Sequence, residues 1–398
     1  MYHILSNHWY IVLIKRLSLF VFTLILGFPV VVGATSGDGG DGAVVDHRSA
    51  SMPQSPTQQA AYQNAVTQVM EAFHIPGAVA GVWIPGHKAW KTAQGLGDVR
   101  SSRPITLDDH FPIRSVTKSF TVTLILQLVR AGKLSLDDPI NKYVPGIPNG
   151  DTVTLTQLAA MESGVKNYTE VDAFLSAFIA DLDRHWIPRE IVDFAIPESP
   201  VFVPGAQYDY SNTNTILLGM VVEAVTKRPL ARTYQKRIFN PLGLVETSYP
   251  DDTAIPDPHP APYEVDPVTG NLEELPLVNL SALGAAGGIV STLDDLRRWG
   301  RALGTGRFIG RDLQQIRLQH SRPATNGPEY DNYGLGIGQL KGWWGHTGEA
   351  LGYQAATFYD PQTRAVIAVA VNSSQPVNVA TEIFKALADV VHPTPAAQ

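Results

Sequence analysis

Apolar residues first recur at helical spacing after Ser55-Pro56-Thr57-Gln58, where Tyr62, Val66, Val69, Met70 and Phe73 follow one face. The S-x-x-Q start, with proline at the first helical position, predicts a capped helix there. Two short apolar-rich runs, residues 78–84 and 88–92, flank Pro85-Gly86 and predict a hairpin. Gly81, Gly86 and Lys88 imitate a phosphate-binding loop, but His87 intervenes and no Ser or Thr follows the lysine. Residues 115–131 (SVTKSFTVTLILQLVRA) predict a mostly apolar helix closed by Gly132. From about 136 to 284, Pro, Asp and Asn break the chain into short helical and loop segments. Ser291-Thr292-Leu293-Asp294 then opens a helix running to about Leu303. Strands are expected at 354–359 and 365–371, separated by an Asp360-Pro361 turn, with a last helix over 377–391. Strands near both ends with helices between them predict an α/β (α+β) fold. One sheet domain (55–135 and 285–392) would be interrupted by a mainly helical domain (136–284).

The N-terminal stretch reads as an address. Lys15 and Arg16 precede an apolar run from Leu17 to Val32, followed by Gly33-Ala34, the pattern of a signal peptide over residues 1–34. An uncleaved anchor is the alternative, although Gly27 and Pro29 interrupt the run short of the ~20 residues a spanning helix prefers. Either way the bulk of the chain is expected outside the cytoplasm, secreted or in the cell envelope, without stable membrane insertion once the signal is removed. Residues 35–54 are rich in Gly, Asp and Ser and predict a flexible linker.

Composition narrows the chemistry. The 398 residues include 30 basic and 37 acidic side chains with no long run of one sign, so a nucleic-acid partner is not expected. Loss of residues 1–34 removes two basic groups and no acid, taking the net charge from -7 to -9. The absence of cysteine excludes disulfides, thiolate metal sites and a cysteine nucleophile. No H-E-x-x-H occurs, and the eleven histidines lack ligand spacing, so neither metal nor cofactor is expected. No G-x-S-x-G occurs either.

What does occur is Ser115-Val116-Thr117-Lys118. Residues three apart on a helix share a face, so Lys118 can approach the Ser115 hydroxyl. A serine needs a base to become nucleophilic, and a lysine buried among apolar residues has its pKa lowered towards that task. The helix N-terminus adds free N–H groups and positive potential. A second match, Ser163-Gly164-Val165-Lys166, sits in loop-like sequence without a long apolar helix. Tyr210-Ser211-Asn212 precedes a helical pattern and can project a phenol and an amide from one loop. Tyr-x-Asn also recurs at Tyr62-Asn64, inside a helix, and at Tyr330-Asn332, in an Asp/Asn/Gly loop. Gly345-His346-Thr347-Gly348 occurs once, just before a strand.

In this order, S-x-x-K, Y-S-N and H-T-G resemble the serine β-lactamase and penicillin-binding-protein superfamily. Ser115–Phe120 (SVTKSF), Tyr208–Asn214 (YDYSNTN), Arg237–Leu244 (RIFNPLGL) and Tyr333–Gly336 (YGLG) resemble secreted actinobacterial D-alanyl-D-alanine carboxypeptidases. The resemblance spans about residues 58–392 and implies a β-lactamase/transpeptidase-like antiparallel sheet flanked by helices. It implies Ser115 as acylated nucleophile, Lys118 as base and Tyr210 as proton carrier to the leaving group. Asn212 would hold the acyl-side amide, and His346 would support Tyr210 and supply local positive charge. Thr347 would bind a substrate carboxylate beside Gly348, and the N–H groups of Ser115 and Glu349 would hold the oxyanion.

Glu349 departs from the threonine often found there, and an inward carboxylate would repel a terminal D-Ala carboxylate. No arginine lies just upstream of His346, only Lys341. Three readings follow from the resemblance: a carboxypeptidase on peptidoglycan stem peptides, a carboxylesterase or β-lactamase using the same residues, and a penicillin-binding sensor without turnover.

Overall fold

A computed structural model describes residues 52–393. Nine strands form one sheet: β1 (Gly77–Trp83), β2 (Trp90–Asp98), β3 (Arg103–Pro104), β4 (Arg322–Pro323), β5 (Asn332–Tyr333), β6 (Gly338–Leu340), β7 (Trp343–Ala350), β8 (Tyr353–Tyr359) and β9 (Val366–Val371). Their spatial order is β3-β2-β1-β9-β8-β7-β6-β5-β4, and every pairing is antiparallel. The early hairpin and the late strands meet at β1 and β9, where Ala78 pairs with Val371.

The longer helices are α1 (Pro56–Ala72), α2 (Val116–Arg130), α3 (Asp172–Ala180), α4 (Pro188–Ala195), α5 (Asn212–Thr226), α6 (Leu293–Thr305), α7 (Arg311–Gln319) and α8 (Val379–Val391). Helices α1 and α8 pack together on one face of the sheet, and α6 and α2 cover the other. Coverage on both faces explains why β8 and β9 are buried along their whole length, β9 as a continuous apolar run and β8 with Gln354 and Thr357 hydrogen-bonded inside.

Three local expectations change. Strand β2 runs on to Asp98, beyond the expected Thr92. Ser55 does cap α1, accepting from Gln58 N at 3.1 Å, but the Gln58 side chain donates to the Tyr62 hydroxyl rather than returning to the cap. The end of the expected linker is docked. Met52 N donates to Gly86 O at 2.9 Å, Lys88 N donates to Met52 O at 2.9 Å, and Gln54 is buried. The rest of that stretch and residues 1–34 lie outside the described residues. Among the described residues no helix is long and apolar enough to cross a membrane.

Helix α2 is the shaft of the molecule. Twelve of its fifteen residues are buried, so it has almost no solvent face and its polar side chains must find partners inside. Thr117 Oγ1 accepts from Ile289 N at 3.1 Å, and Thr121 Oγ1 donates to Ala285 O at 2.7 Å. Ser119 Oγ donates to Val116 O and accepts from Trp299 Nε1 at 2.8 Å. Buried Arg317 on α7 reaches Ser119 O and Thr123 Oγ1. The Trp299 ring stacks on Phe120 with centroids 3.6 Å apart, clamping α6 to α2.

That clamp is testable. Trp299→Ala should lower unfolding free energy in urea by about 3–5 kcal/mol, the range for emptying a buried aromatic site. A loss below about 1 kcal/mol would show that α2 is held by something else.

Candidate active site

Ser115 stands at the N-cap of α2, but its backbone is already helical (φ -63°, ψ -11°) and its side chain makes no capping bond. The hydroxyl points instead to Lys118, with Oγ 2.8 Å from Nζ. Lys118 is wholly buried. Its Nζ also donates to Asn212 Oδ1 at 2.6 Å and to the Ala286 carbonyl at 2.9 Å. Burial drives the amine well below the usual lysine pKa.

The hydrogens of the neutral amine can then be counted. A neutral amine has two hydrogens and one lone pair. The Ala286 carbonyl can only accept, and so can Asn212 Oδ1. The amide orientation is fixed by its other end: Asn212 Nδ2 donates to Thr169 Oγ1, whose own hydrogen goes to Asn167 Oδ1. With both N–H bonds of the neutral amine committed in this way, its lone pair would face the Ser115 O–H, whereas an ammonium would donate to all three acceptors.

Tyr210 and Asn212 do not share a loop as expected. Tyr210 ends the loop, Ser211 is the N-cap, and Asn212 is the first residue of α5. The Tyr210 ring sits 4.9 Å from Lys118 Nζ and packs edge-on against Tyr333. Its hydroxyl is buried and closes no well-formed hydrogen bond among the described residues, although the Ser115 side chain is close enough to act on it. Burial, reinforced by Tyr330, raises the phenol well above its usual pKa, with the Ser115 side chain acting against this. Tyr210 therefore carries its proton at neutral pH. Gly327 lies over it with φ +114°, where a Cβ would fall 2.5 Å from the Tyr210 Cβ.

Strand β6 accompanies β7 only as far as Gly345, so residues 346–350 present an open edge. On that edge Thr347 N donates to the Tyr330 hydroxyl at 2.9 Å. In an extended strand, N–H groups two residues apart share an edge, so Glu349 N faces the same opening. Gly348 brings this edge against the start of α2. A Cβ there would lie 2.1 Å from Ile113 O and 2.9 Å from Ser115 N, a space only glycine leaves free.

His346 does not provide the expected positive charge. It is completely buried, and burial depresses its pKa to about 3, with its hydrogen bond to the Thr347 carbonyl acting against this and the buried Arg317 cation adding to it. Its Nδ1 lies 2.6 Å from the Thr347 carbonyl, an acceptor only, and so bears the hydrogen. Nε2 then accepts from the Tyr333 hydroxyl at 3.0 Å. Thr347 Oγ1 is 2.7 Å from the Tyr330 hydroxyl.

Glu349 leaves β7 on the face opposite Gly348. Its half-buried carboxyl lies among Gln354 and Asn378; burial raises its pKa to about 7, and the two amides lower it in part. Lys341 is turned to Asp389 on α8, with Nζ 2.8 Å from the carboxylate.

The structure thus joins Ser115, Lys118 and Asn212 directly. Tyr210 and Gly348 are set against them, and the Glu349 side chain is turned away towards Gln354 and Asn378. The second S-x-x-K does not form a site: Ser163 Oγ donates to Asn214 Oδ1, and Lys166 pairs with Glu170 at 2.6 Å. Tyr208 and Trp343 are buried packing residues, and Asp209 is half-buried against Asn326. Sequence reasoning passed over Ala286, Thr169 and Tyr330. Tyr330 belongs to a Tyr-x-Asn triplet set aside as a chance match, although the neighbouring H-T-G strand needs a hydroxyl at its open edge.

Imidazole 15N chemical shifts should place His346 as the neutral Nδ1–H tautomer from about pH 5 to about pH 8, whereas titration near the ordinary histidine value would contradict the assignment. The unfolded imidazole takes a proton near 6.5 and the folded one only near 3, so stability falls as pH drops through that window. His346→Gln should remove this part of the acid sensitivity.

Comparison with known proteins agrees with this architecture. The Beta-lactamase family model matches residues 62–392. A D-stereospecific amidohydrolase from Streptomyces sp. is 32% identical, with a TM-score of 0.73 over 82% of this chain and 98% of that one. A D-amino acid amidase from Ochrobactrum anthropi, solved with L-phenylalanine amide, is 26% identical, with a TM-score of 0.76 over 84% and 98%. A D-aminopeptidase of Brucella anthropi is 31% identical over 242 residues, 58% of this chain and 45% of that protein. A putative penicillin-binding protein of Bacillus subtilis is 25% identical over 65% of this chain and 60% of its own length. The chain therefore spans only about half of the first of these two longer relatives and three fifths of the second. With one family model covering everything from Tyr62 to His392, the chain belongs to the beta-lactamase family.

Proposed function

We propose that the chain is a serine hydrolase working through an acyl-enzyme at Ser115, on amides or short peptides with a D-amino acid on the acyl side. One observation carries the mechanism: a buried Lys118 whose two neutral-state hydrogens are committed to Asn212 and Ala286. Its lone pair takes the Ser115 proton as Oγ attacks the substrate carbonyl carbon. The resulting oxyanion lies between the N–H groups of Ser115 and Glu349, each worth roughly 3–4 kcal/mol in such sites. As the C–N bond breaks, the Tyr210 hydroxyl gives its proton to the leaving amine and recovers one from the Lys118 ammonium. Water then attacks the ester carbonyl, losing its proton along the same route, and Ser115 is released with its proton restored.

The substrate class rests on the relatives and on charge. The two solved relatives, an amidohydrolase and an amidase, are covered almost end to end. Lys341, the cation expected nearest a terminal carboxylate, is engaged by Asp389, which favours an uncharged leaving group. D-alanyl-D-alanine carboxypeptidase activity is the second reading. It is favoured by the direction of Glu349, whose carboxyl faces Gln354 and Asn378 and so does not oppose a substrate carboxylate. Esterase, β-lactamase and penicillin-sensor behaviour would use the same residues. Export through residues 1–34 belongs to this proposal on sequence grounds, and N-terminal sequencing of the protein recovered from the medium tests it.

Turnover on a D-amino acid amide, a D-Ala-D-Ala peptide, a cephalosporin and an aryl ester separates the readings. Amide cleavage exceeding the others is the expected result; peptide cleavage alone would make the carboxypeptidase reading correct. Penicillin acylation without release would select the sensor. Ser115→Ala should abolish turnover on every substrate, and retained activity would refute the mechanism. Tyr210→Phe should slow amide hydrolysis by about 10²–10⁴-fold but spare acylation by an aryl ester, whose phenolate leaves without a proton. Equal losses on both would mean that Tyr210 is not the proton donor.

A further inference from the structure

Arg114, immediately before Ser115, combines two features that each cost stability. Its backbone is left-handed (φ +50°), a region that non-glycine residues seldom occupy. Its side chain is only 3% exposed, yet among the described residues no carboxylate pairs with it. Nε and Nη1 have no hydrogen-bond partner, so a buried guanidinium is held by little. Burial lowers its pKa only to about 10, which leaves it charged at neutral pH. Strain and an under-bonded charge next to a nucleophile are kept where they serve the site.

The contacts it does make define the service. The Arg114 Cβ lies 3.0 Å from where a Cβ on Gly348 would be, so the side chain starts over the site face of β7. It runs along the strand to the β7–β8 turn, where Nη2 donates to the Leu351 carbonyl at 3.3 Å and the guanidinium lies 5.4 Å from the Tyr353 ring centroid. Leu351 and Gly352 are themselves left-handed (φ +48° and +79°), so the turn has a single defined shape to grip. Glu349 N is two residues from the gripped carbonyl, on the part of β7 that β6 no longer supports.

We infer that Arg114 is a positioning residue for the oxyanion site. It braces the β7–β8 turn against the start of α2 and so fixes the Glu349 N–H relative to the Ser115 N–H. This rests on the acyl-enzyme reading above. The arm reaches Glu349 through the turn rather than touching substrate, so its loss should appear in the transition state and not in ground-state binding.

The test is the acylation rate of Ser115 by an aryl ester in wild type, Arg114→Ala and Arg114→Lys, with boronic acid affinity and thermal midpoint measured in parallel. Arg114→Ala should acylate about 10²-fold more slowly with KM little changed, the size of a lost oxyanion donor. Boronate affinity should fall by a similar factor, because the tetrahedral adduct uses the same two N–H groups. Guanidinium added to Arg114→Ala should restore part of the rate, and Arg114→Lys should lie between the two. Wild-type acylation and boronate affinity in both variants, whatever the thermal midpoint does, would overturn the proposal. A wild type that no ester acylates would overturn the functional reading itself, and this inference with it.

Discussion

Everything about this site follows from putting the Lys118 amine where water cannot reach it. A charged ammonium in such a place is costly, and among the described residues no carboxylate pairs with it. The cheaper state is the neutral amine, which keeps its place because three distant parts of the chain meet around it. Ser115 comes from the start of α2, Asn212 from the start of α5 and Ala286 from a short turn before α6. Moving any one of them would leave the amine with a missing acceptor or the serine without a base. The long apolar face of α2 and the clamp of Trp299 on Phe120 are thus conditions for the chemistry as well as for the fold.

The same dry surroundings sort the other titratable groups. Tyr210 stays protonated because its phenolate would be buried, and His346 stays neutral for the matching reason. Burial disfavours the charged forms of amine, phenol and imidazole alike, so in the proposed reaction one proton would move between serine, lysine and tyrosine without isolating a charge far from its partner. The buried cations Arg317 and Arg114 lie outside this exchange and supply a fixed positive background. In the proposed reaction, polarity at the oxyanion would come from backbone N–H groups, which need no solvation to be retained and no reorganisation during reaction.

Much of this was legible from residue order. The length and apolarity of residues 115–131 dictated a buried helix, and burial dictated what Lys118 could be. The late strands, the early hairpin and the closing helix carried strong enough patterns to be read, and the order of S-x-x-K, Y-S-N and H-T-G identified the family before any coordinates. What was not legible depended on distance and direction. The Ala286 carbonyl is a backbone atom in a glycine-rich turn and has no side-chain signature. Tyr330 looked like a chance repeat because nothing local connects it to Thr347 or His346, which the sheet brings beside it. The charge assigned to His346 came from the resemblance alone, and the burial that opposes it is a matter of three-dimensional packing. Glu349 and Lys341 looked relevant by proximity in sequence, and the strand face of Glu349 and the β6–β7 turn that carries Lys341 direct them to other partners.

The central claim is that Lys118 is neutral and aims its lone pair at Ser115. The most direct measurement is the 15N or 13C NMR titration of the Lys118 side chain in the free enzyme, assigned with Lys118→Arg. The account predicts a pKa well below the ordinary lysine value of 10.5, with the amine unprotonated under working conditions. A Lys118 that keeps its proton up to about pH 10 would contradict it and leave Ser115 without its base.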